Sequence, residues 1–209
     1  MRNLQYPNEE YINSADNKNK ADLIRFRRVY RMHKHLTGRM LDIGCGDGFF
    51  LRTFPWKFSR FVGLDMYTID QFLRGKYQEN LELYSNRGKI LYINGIFEET
   101  ADLLNEFDFV FAGEIIEHVP DVETFLSAFF KKVKKGGCWC LTTPNNVGKD
   151  LEEHRRQFTK ESLYEALRKQ TRHLEIEELV SPKGSWPFLI AYGRRPRNLL
   201  QSIILSLGK

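Results

Sequence analysis

Cysteine is scarce: the chain has 209 residues and only Cys45, Cys138 and Cys140. An odd, small number builds no disulfide framework. Cys138-Trp139-Cys140 also lacks the two-residue spacer of a zinc knuckle or a thioredoxin-type pair. On a strand, residues i and i+2 share a face, so these two read as small buried hydrophobes of a reducing, cytoplasmic protein. Long apolar runs are missing as well. None approaches the roughly 18 residues of a membrane span, and Met1 to Lys20 lacks the apolar stretch of a secretory signal. No fixed-period repeat or low-complexity stretch appears. What is there, 42% apolar and 28% charged residues, is ordinary globular composition. The length allows one domain, with an irregular arm over 1–20, a core over 21–193 and a basic, apolar tail over 194–209.

The net charge of +5 is unevenly spread. Lys20, Arg25, Arg27, Arg28, Arg31, Lys34 and Arg39 face one acid, Asp22, in the same stretch. Arg25, Arg28 and Arg31 recur at i, i+3 and would form a stripe on a helix. Such a stripe contacts a phosphate or nucleic acid, or it is a solvated helix face. The helix itself is expected over 21–36, with Leu23, Phe26, Tyr30 and Met32 inward. The tail adds Arg195, Arg197 and Lys209 without an acid, and its apolar stretch 198–207 could pack on its own domain, on a second subunit of a homodimer or on a membrane surface.

From Arg39 onward strands and helices alternate. Strands are expected at 39–43, 60–65, 89–94, 107–112, 137–143, 174–180 and 187–192. Helices are expected from Phe49, near 68–75, and over 98–105, 122–134 and 160–169. This order implies an α/β fold: a mostly parallel sheet of seven strands, helices on both faces, and an antiparallel hairpin at one edge. Ligands of such sheets bind beyond the carboxyl ends of the strands.

The residues at those ends carry the chemistry. Leu41-Asp42-Ile43-Gly44-Cys45-Gly46-Asp47-Gly48 leads from the first strand into a helix. Its glycines let the backbone turn tightly and approach a ligand. Asp42 and Asp47 would repel a pyrophosphate and suit an ammonium or a sulfonium. Asp65 ends the second strand, about 20 residues after the loop, where an acid can bond ribose hydroxyls. Met66 beside it could pack on a purine. Ala112-Gly113-Glu114-Ile115-Ile116-Glu117-His118-Val119-Pro120-Asp121 follows the fourth strand, and Thr142-Thr143-Pro144-Asn145 ends the fifth.

Together these stretches, with Gly63-Leu64-Asp65, Phe107-Asp108-Phe109-Val110, Lys135-Gly136-Gly137 and the segment from His154 to Leu163, resemble the class I S-adenosylmethionine-dependent methyltransferases. The resemblance covers roughly 37–193 and is nearest the small-molecule group that includes the ubiquinone-biosynthesis O-methyltransferases. It implies a Rossmann-like methyltransferase fold with S-adenosylmethionine as cofactor and S-adenosylhomocysteine as product. Gly44, Cys45, Gly46 and Asp47 would cradle the methionine part, Asp42 its amino group, and Asp65 the ribose. Met66 and the backbone at Ile96-Phe97 would border the adenine, although Tyr92 to Phe97 offers no acid for the exocyclic amine. Gly113 and Glu114 would touch the methionine end.

Methyl transfer needs the acceptor held in line, and a hydroxyl acceptor must also lose a proton. His118 is the first candidate base, an imidazole being ordinarily neutral at physiological pH, with Glu117 and His154 as further catalytic candidates. Each has a plainer reading: His118 bracing its loop, Glu117 near a helix start, His154 on a surface loop. Asp121 reads as a helix cap. The expected acceptor is an oxygen or nitrogen on a small metabolite or sugar-like molecule, with no metal. Two alternatives stand beside this. Glu114, Glu117, His118 and a later histidine resemble the metal ligands of small-RNA 3′-terminal 2′-O-methyltransferases, which would make RNA the partner. A non-catalytic binding protein on the same fold is the other. The arm over 1–20, with Tyr6 or Tyr11, is expected to act as a lid.

Overall fold

The computed structural model describes residues 17–46, 48, 50–51, 54, 57–66, 90–145, 154–179 and 187–197. Asp47, residues 1–16 of the expected lid, the helix near 68–75 and the tail from 198 lie outside the described residues. The elements are α1 (Asn17–His33), β1 (Arg39–Ile43), β2 (Arg60–Asp65), β3 (Ile90–Asn94) and α2 (Phe97–Thr100) with a 3-10 turn at Ala101–Leu103. Then come β4 (Phe107–Gly113), α3 (Val122–Lys132), β5 (Val133–Pro144), α4 (Lys160–Arg168), β6 (Leu174–Leu179) and β7 (Phe188–Arg194).

One seven-stranded sheet runs in the order β3-β2-β1-β4-β5-β7-β6. Leu41 on β1 pairs in parallel with Val62 of β2 on one side and Val110 of β4 on the other. The chain therefore winds outward through β2 and β3, then returns to β1's other side at β4. That reversal opens a crevice beyond the carboxyl ends of β1 and β4. β7 runs antiparallel to both β5 and β6, so the closing pair is antiparallel as expected, with its second strand placed inside the sheet.

Alternation along the strands divides the core in two. Leu41, Ile43, Val110, Ala112, Trp139 and Leu141 face Phe125, Leu126 and Phe129 of α3 and Leu163 and Leu167 of α4. Met40, Phe109, Phe111, Cys138 and Cys140 point to the other face, against Val29 and Tyr30 of α1 and against Phe50, Phe54 and Phe58. Phe50 and Phe111 lie 4.2 Å apart by ring centroids, and Phe58 stacks on Phe109 at 5.8 Å. Such pairs add about 0.5–1.5 kcal/mol each beyond their burial. Cys138 and Cys140 are free and buried on one face, as their spacing predicts.

Several boundaries differ from expectation. α1 begins at Asn17, so the last residues of the expected arm are helical. α3 stops at Lys132 and β5 starts at Val133, four residues before the expected Gly137. The register breaks between Phe107 and Phe109; the N–H of Gly136, at φ +81°, donates to the Arg195 carbonyl, and the Arg195 N–H donates to the Gly137 carbonyl. Asp121 caps α3 as expected: its carboxylate accepts from the Glu123 N–H at 3.0 Å.

The largest correction concerns one member of the basic stripe, Arg25. Arg25 is neither solvated nor offered to an anionic partner; it is 4% exposed. It follows the same helical row as the buried Val29 and His33, at i, i+4 and i+8. Arg28 forks onto the Glu177 carboxylate of β6. These two arginines tie α1 to carboxylates of its own domain.

Candidate active site

The glycine loop after β1 bends by the conformation that glycine allows. Gly44, Gly46 and Gly48 have φ of +70°, +53° and +73°, values that side chains disfavour. The N–H groups of Gly44 and Cys45 both bond the Leu64 carbonyl of β2, and the Gly46 N–H donates to Asp65 Oδ2 at 2.7 Å. Asp65 thus clamps the loop from the next strand, beside the ribose role expected of it. Cys45 is buried, and its sulfur fills the space above Gly63, where a Cβ would come within 2.8 Å.

Two features of this loop point outward to a ligand. A Cβ on Gly46 would meet no atom within 4 Å. Asp42 is 2% exposed, and its Oδ2 is buried without a hydrogen-bond partner. Burial, and then the nearby Asp65, push its carboxyl well above the usual carboxylate range. An orphaned acceptor beside open backbone fits a ligand bearing an ammonium and a sulfonium, because both remove the cost of the buried acid. Next along the edge, Met66 is 72% exposed and Ile96 47%. Phe97, by contrast, is buried with its ring edge-on to Phe125, so only its backbone can border a ligand.

On the other side of the crevice the chain leaves β4 through Gly113 and Glu114. A Cβ on Gly113 would press into the Phe111 ring at 2.7 Å. Glu114 is the one non-glycine residue with positive φ among the described residues, at +55°. Its N–H bonds the Thr142 carbonyl at 2.9 Å, its Oε1 accepts from Thr142 Oγ1 at 2.9 Å, and its Oε2 meets Arg25 Nη1 at 3.0 Å. The guanidinium lies over Phe26 and Phe188 at 4.4 and 4.8 Å, which compensates part of its burial. Sequence reasoning missed Arg25 and Thr142 here. The available signal was the spacing of Arg25, Val29 and His33 on the apolar row of α1.

Glu117, His118 and His154 come together, although 36 residues separate the two histidines. One ligand atom from each lies within 4.8 Å of the others. The imidazoles meet edge to face at 4.8 Å, and His118 Nε2 lies 3.8 Å from Glu117 Oε1. Glu117 is 1% exposed, not a solvated acid at a helix start. Its Oε2 accepts from Thr143 Oγ1 at 3.0 Å, while its Oε1 is buried without a hydrogen-bond partner. Burial pushes its carboxyl up to about 7, against the opposing pull of its hydrogen bonds and of Arg25. The Arg155 N–H on the Glu117 carbonyl, at 3.0 Å, holds the His154 segment in place. Such a cluster can take up a proton or hold a metal ion; Glu114 is not part of it, its carboxylate meeting Arg25 and Thr142.

Comparison with known proteins places the chain in a family. A family profile described as a methyltransferase domain matches residues 11–181. The chain belongs to that family and, with it, to the class I S-adenosylmethionine-dependent methyltransferases. It is 34% identical over 130 residues to the ubiquinone biosynthesis O-methyltransferase of a Bradyrhizobium species, covering 61% of this chain and 48% of that protein. With the mitochondrial enzyme of the same name from Bos taurus it shares 29% over 129 residues, covering 60% of this chain and 34% of the relative. The aligned stretch thus spans between a third and a half of these relatives. Among solved structures, the N-methyltransferase NodS from Bradyrhizobium japonicum superposes with a TM-score of 0.67 at 16% identity, covering 87% of this chain and 98% of that one. A SAM-dependent methyltransferase from Archaeoglobus fulgidus gives 0.62 at 19%, covering 90% and 97%. NodS has also been solved with S-adenosylhomocysteine. S-adenosylmethionine is the cofactor of the family, and the orphaned Asp42 oxygen and the open face of Gly46 fit it.

Proposed function

We propose that this chain transfers a methyl group from S-adenosylmethionine to an oxygen, or a nitrogen, of a small-molecule acceptor. The convergence of Glu117, His118 and His154 beside the glycine loop's crevice carries the reading. When bound, the cofactor supplies a methyl group already activated on a sulfonium. The chain's own part is then to orient the acceptor and move its proton. His118 and His154 are the acceptor-side bases, and Glu117, 3.8 Å from His118 Nε2, lies against the ring and helps to place it. Asp42 and the loop from Gly44 to Gly48 hold the methionine part, Asp65 the ribose, and Met66 and Ile96 flank the adenine.

The relatives named for O-methylation and for N-methylation support both acceptor atoms. An RNA acceptor loses the support of the basic stripe, because Arg25 pairs with Glu114 and Arg28 with Glu177. No helix among the described residues is long and apolar enough to cross a membrane. Three free, buried cysteines support a reducing, cytoplasmic setting.

Calorimetric titration with S-adenosylhomocysteine is the first test, followed by methyl transfer to a panel of hydroxylated and amine acceptors. Micromolar binding and turnover on one acceptor class support the reading. No binding to the wild-type protein would overturn it.

A further inference from the structure

We propose that Arg25 is a positioning residue, holding Glu114 in its left-handed conformation and so fixing the Gly113-Glu114 turn against which cofactor and acceptor meet. The inference rests on the reading above for what meets that turn. Its own basis is the contact set around Glu114.

A glutamate at φ +55° does not stay there unaided. An unsupported left-handed residue other than glycine is disfavoured roughly ten-fold or more, and such residues persist where their surroundings over-determine them. Thr142 supplies two holds from β5, on the N–H and on Oε1. A further hold, on Oε2, comes from Arg25, whose guanidinium meets a carboxylate with only 21% side-chain exposure. Arg25 is itself held by the rings of Phe26 and Phe188 and is 5% exposed at the side chain.

The helix that carries Arg25 is seated by other means. Phe26 packs on Phe50 and Phe111, Tyr30 stacks on Phe54 at 5.2 Å, and His33 lies against Phe109 at 4.7 Å. Arg28 adds a solvent-exposed fork to Glu177. Arg25, unlike these, reaches past the end of β4 to the crevice. There it pairs with the strained Glu114, and through that pair it fixes the turn.

The test is S-adenosylhomocysteine binding by calorimetry on four variants. Arg25→Met should weaken binding roughly ten-fold, and Arg25→Lys, which keeps the cation, should recover most of it. Arg28→Met, which removes a tie of α1 away from the turn, should bind as wild type. In a Glu114→Gly background, where glycine adopts positive φ without support, adding Arg25→Met should change the affinity less than two-fold. That non-additivity is a signature that a purely structural role lacks. Wild-type affinity in Arg25→Met, an equal loss in Arg28→Met, or an undiminished effect in the Glu114→Gly background would each overturn the proposal. Failure of the wild-type protein to bind would instead overturn the cofactor reading itself.

Discussion

Gly46→Ala separates cofactor binding from folding. The residue has φ +53°, and a Cβ there would meet no atom within 4 Å. The cost to the free protein is therefore conformational, about 1–2 kcal/mol for a left-handed alanine. For a domain of this size that lowers Tm by roughly 2–8 °C. The added methyl projects into the space that the open loop leaves for a ligand, so S-adenosylhomocysteine affinity should fall at least ten-fold, about 1.4 kcal/mol. Differential scanning fluorimetry reads the first quantity and calorimetric titration the second. Gly44→Ala is the comparison: at φ +70° its Cβ would also come within 3.0 Å of Ile115 Cδ1, so it should cost more stability than Gly46→Ala. If Gly46→Ala binds S-adenosylhomocysteine like wild type, the loop does not cradle the cofactor and the assignment of Gly44 to Gly48 fails.

Three further outcomes are expected. Glu117, raised from 4.5 to about 7 by burial, holds a proton in the folded protein that the unfolded chain has released, so its contribution to stability falls as pH rises from 4.5 to 7. Glu117→Gln should flatten the fall of Tm across that window, and an unchanged slope would refute the buried, protonated state. His118→Ala and His154→Ala should each lower kcat roughly 10²–10⁴-fold on a hydroxyl acceptor while leaving S-adenosylhomocysteine affinity within about two-fold; wild-type kcat in both would refute their role as bases. Gly38→Ala places a Cβ against the Asp108 carboxylate, which accepts from the Arg39 N–H and pairs with Lys134. At φ +92° it should cost more than about 2 kcal/mol in urea unfolding, and a loss below about 0.5 kcal/mol would refute the assigned clash.

The strands were legible from the chain because their signal is local. Met40-Leu41 and Phe109-Val110-Phe111-Ala112 alternate by period two, and each alternate residue lands on a different face of the sheet. The glycine loop was legible for the same reason: closely spaced glycines after a buried strand have few uses, and all three adopt positive φ. Asp42 and Asp65 could be placed because a strand's length fixes where its end lies. Which carboxylate binds which cation could not be read this way. Arg25 reaches Glu114, Arg28 reaches Glu177 across 149 residues, and Asp65 spends an oxygen on the Gly46 N–H. Each choice follows from distance and burial after the sheet has closed. His118 and His154 likewise meet only because the His154 segment is held to Glu117 by the Arg155 N–H. Residue type and spacing thus determined the sheet, its crevice and the glycine loop. Folding alone decided the partners of the charged groups, because a charge pairs with whatever the tertiary structure brings within a few ångströms of it.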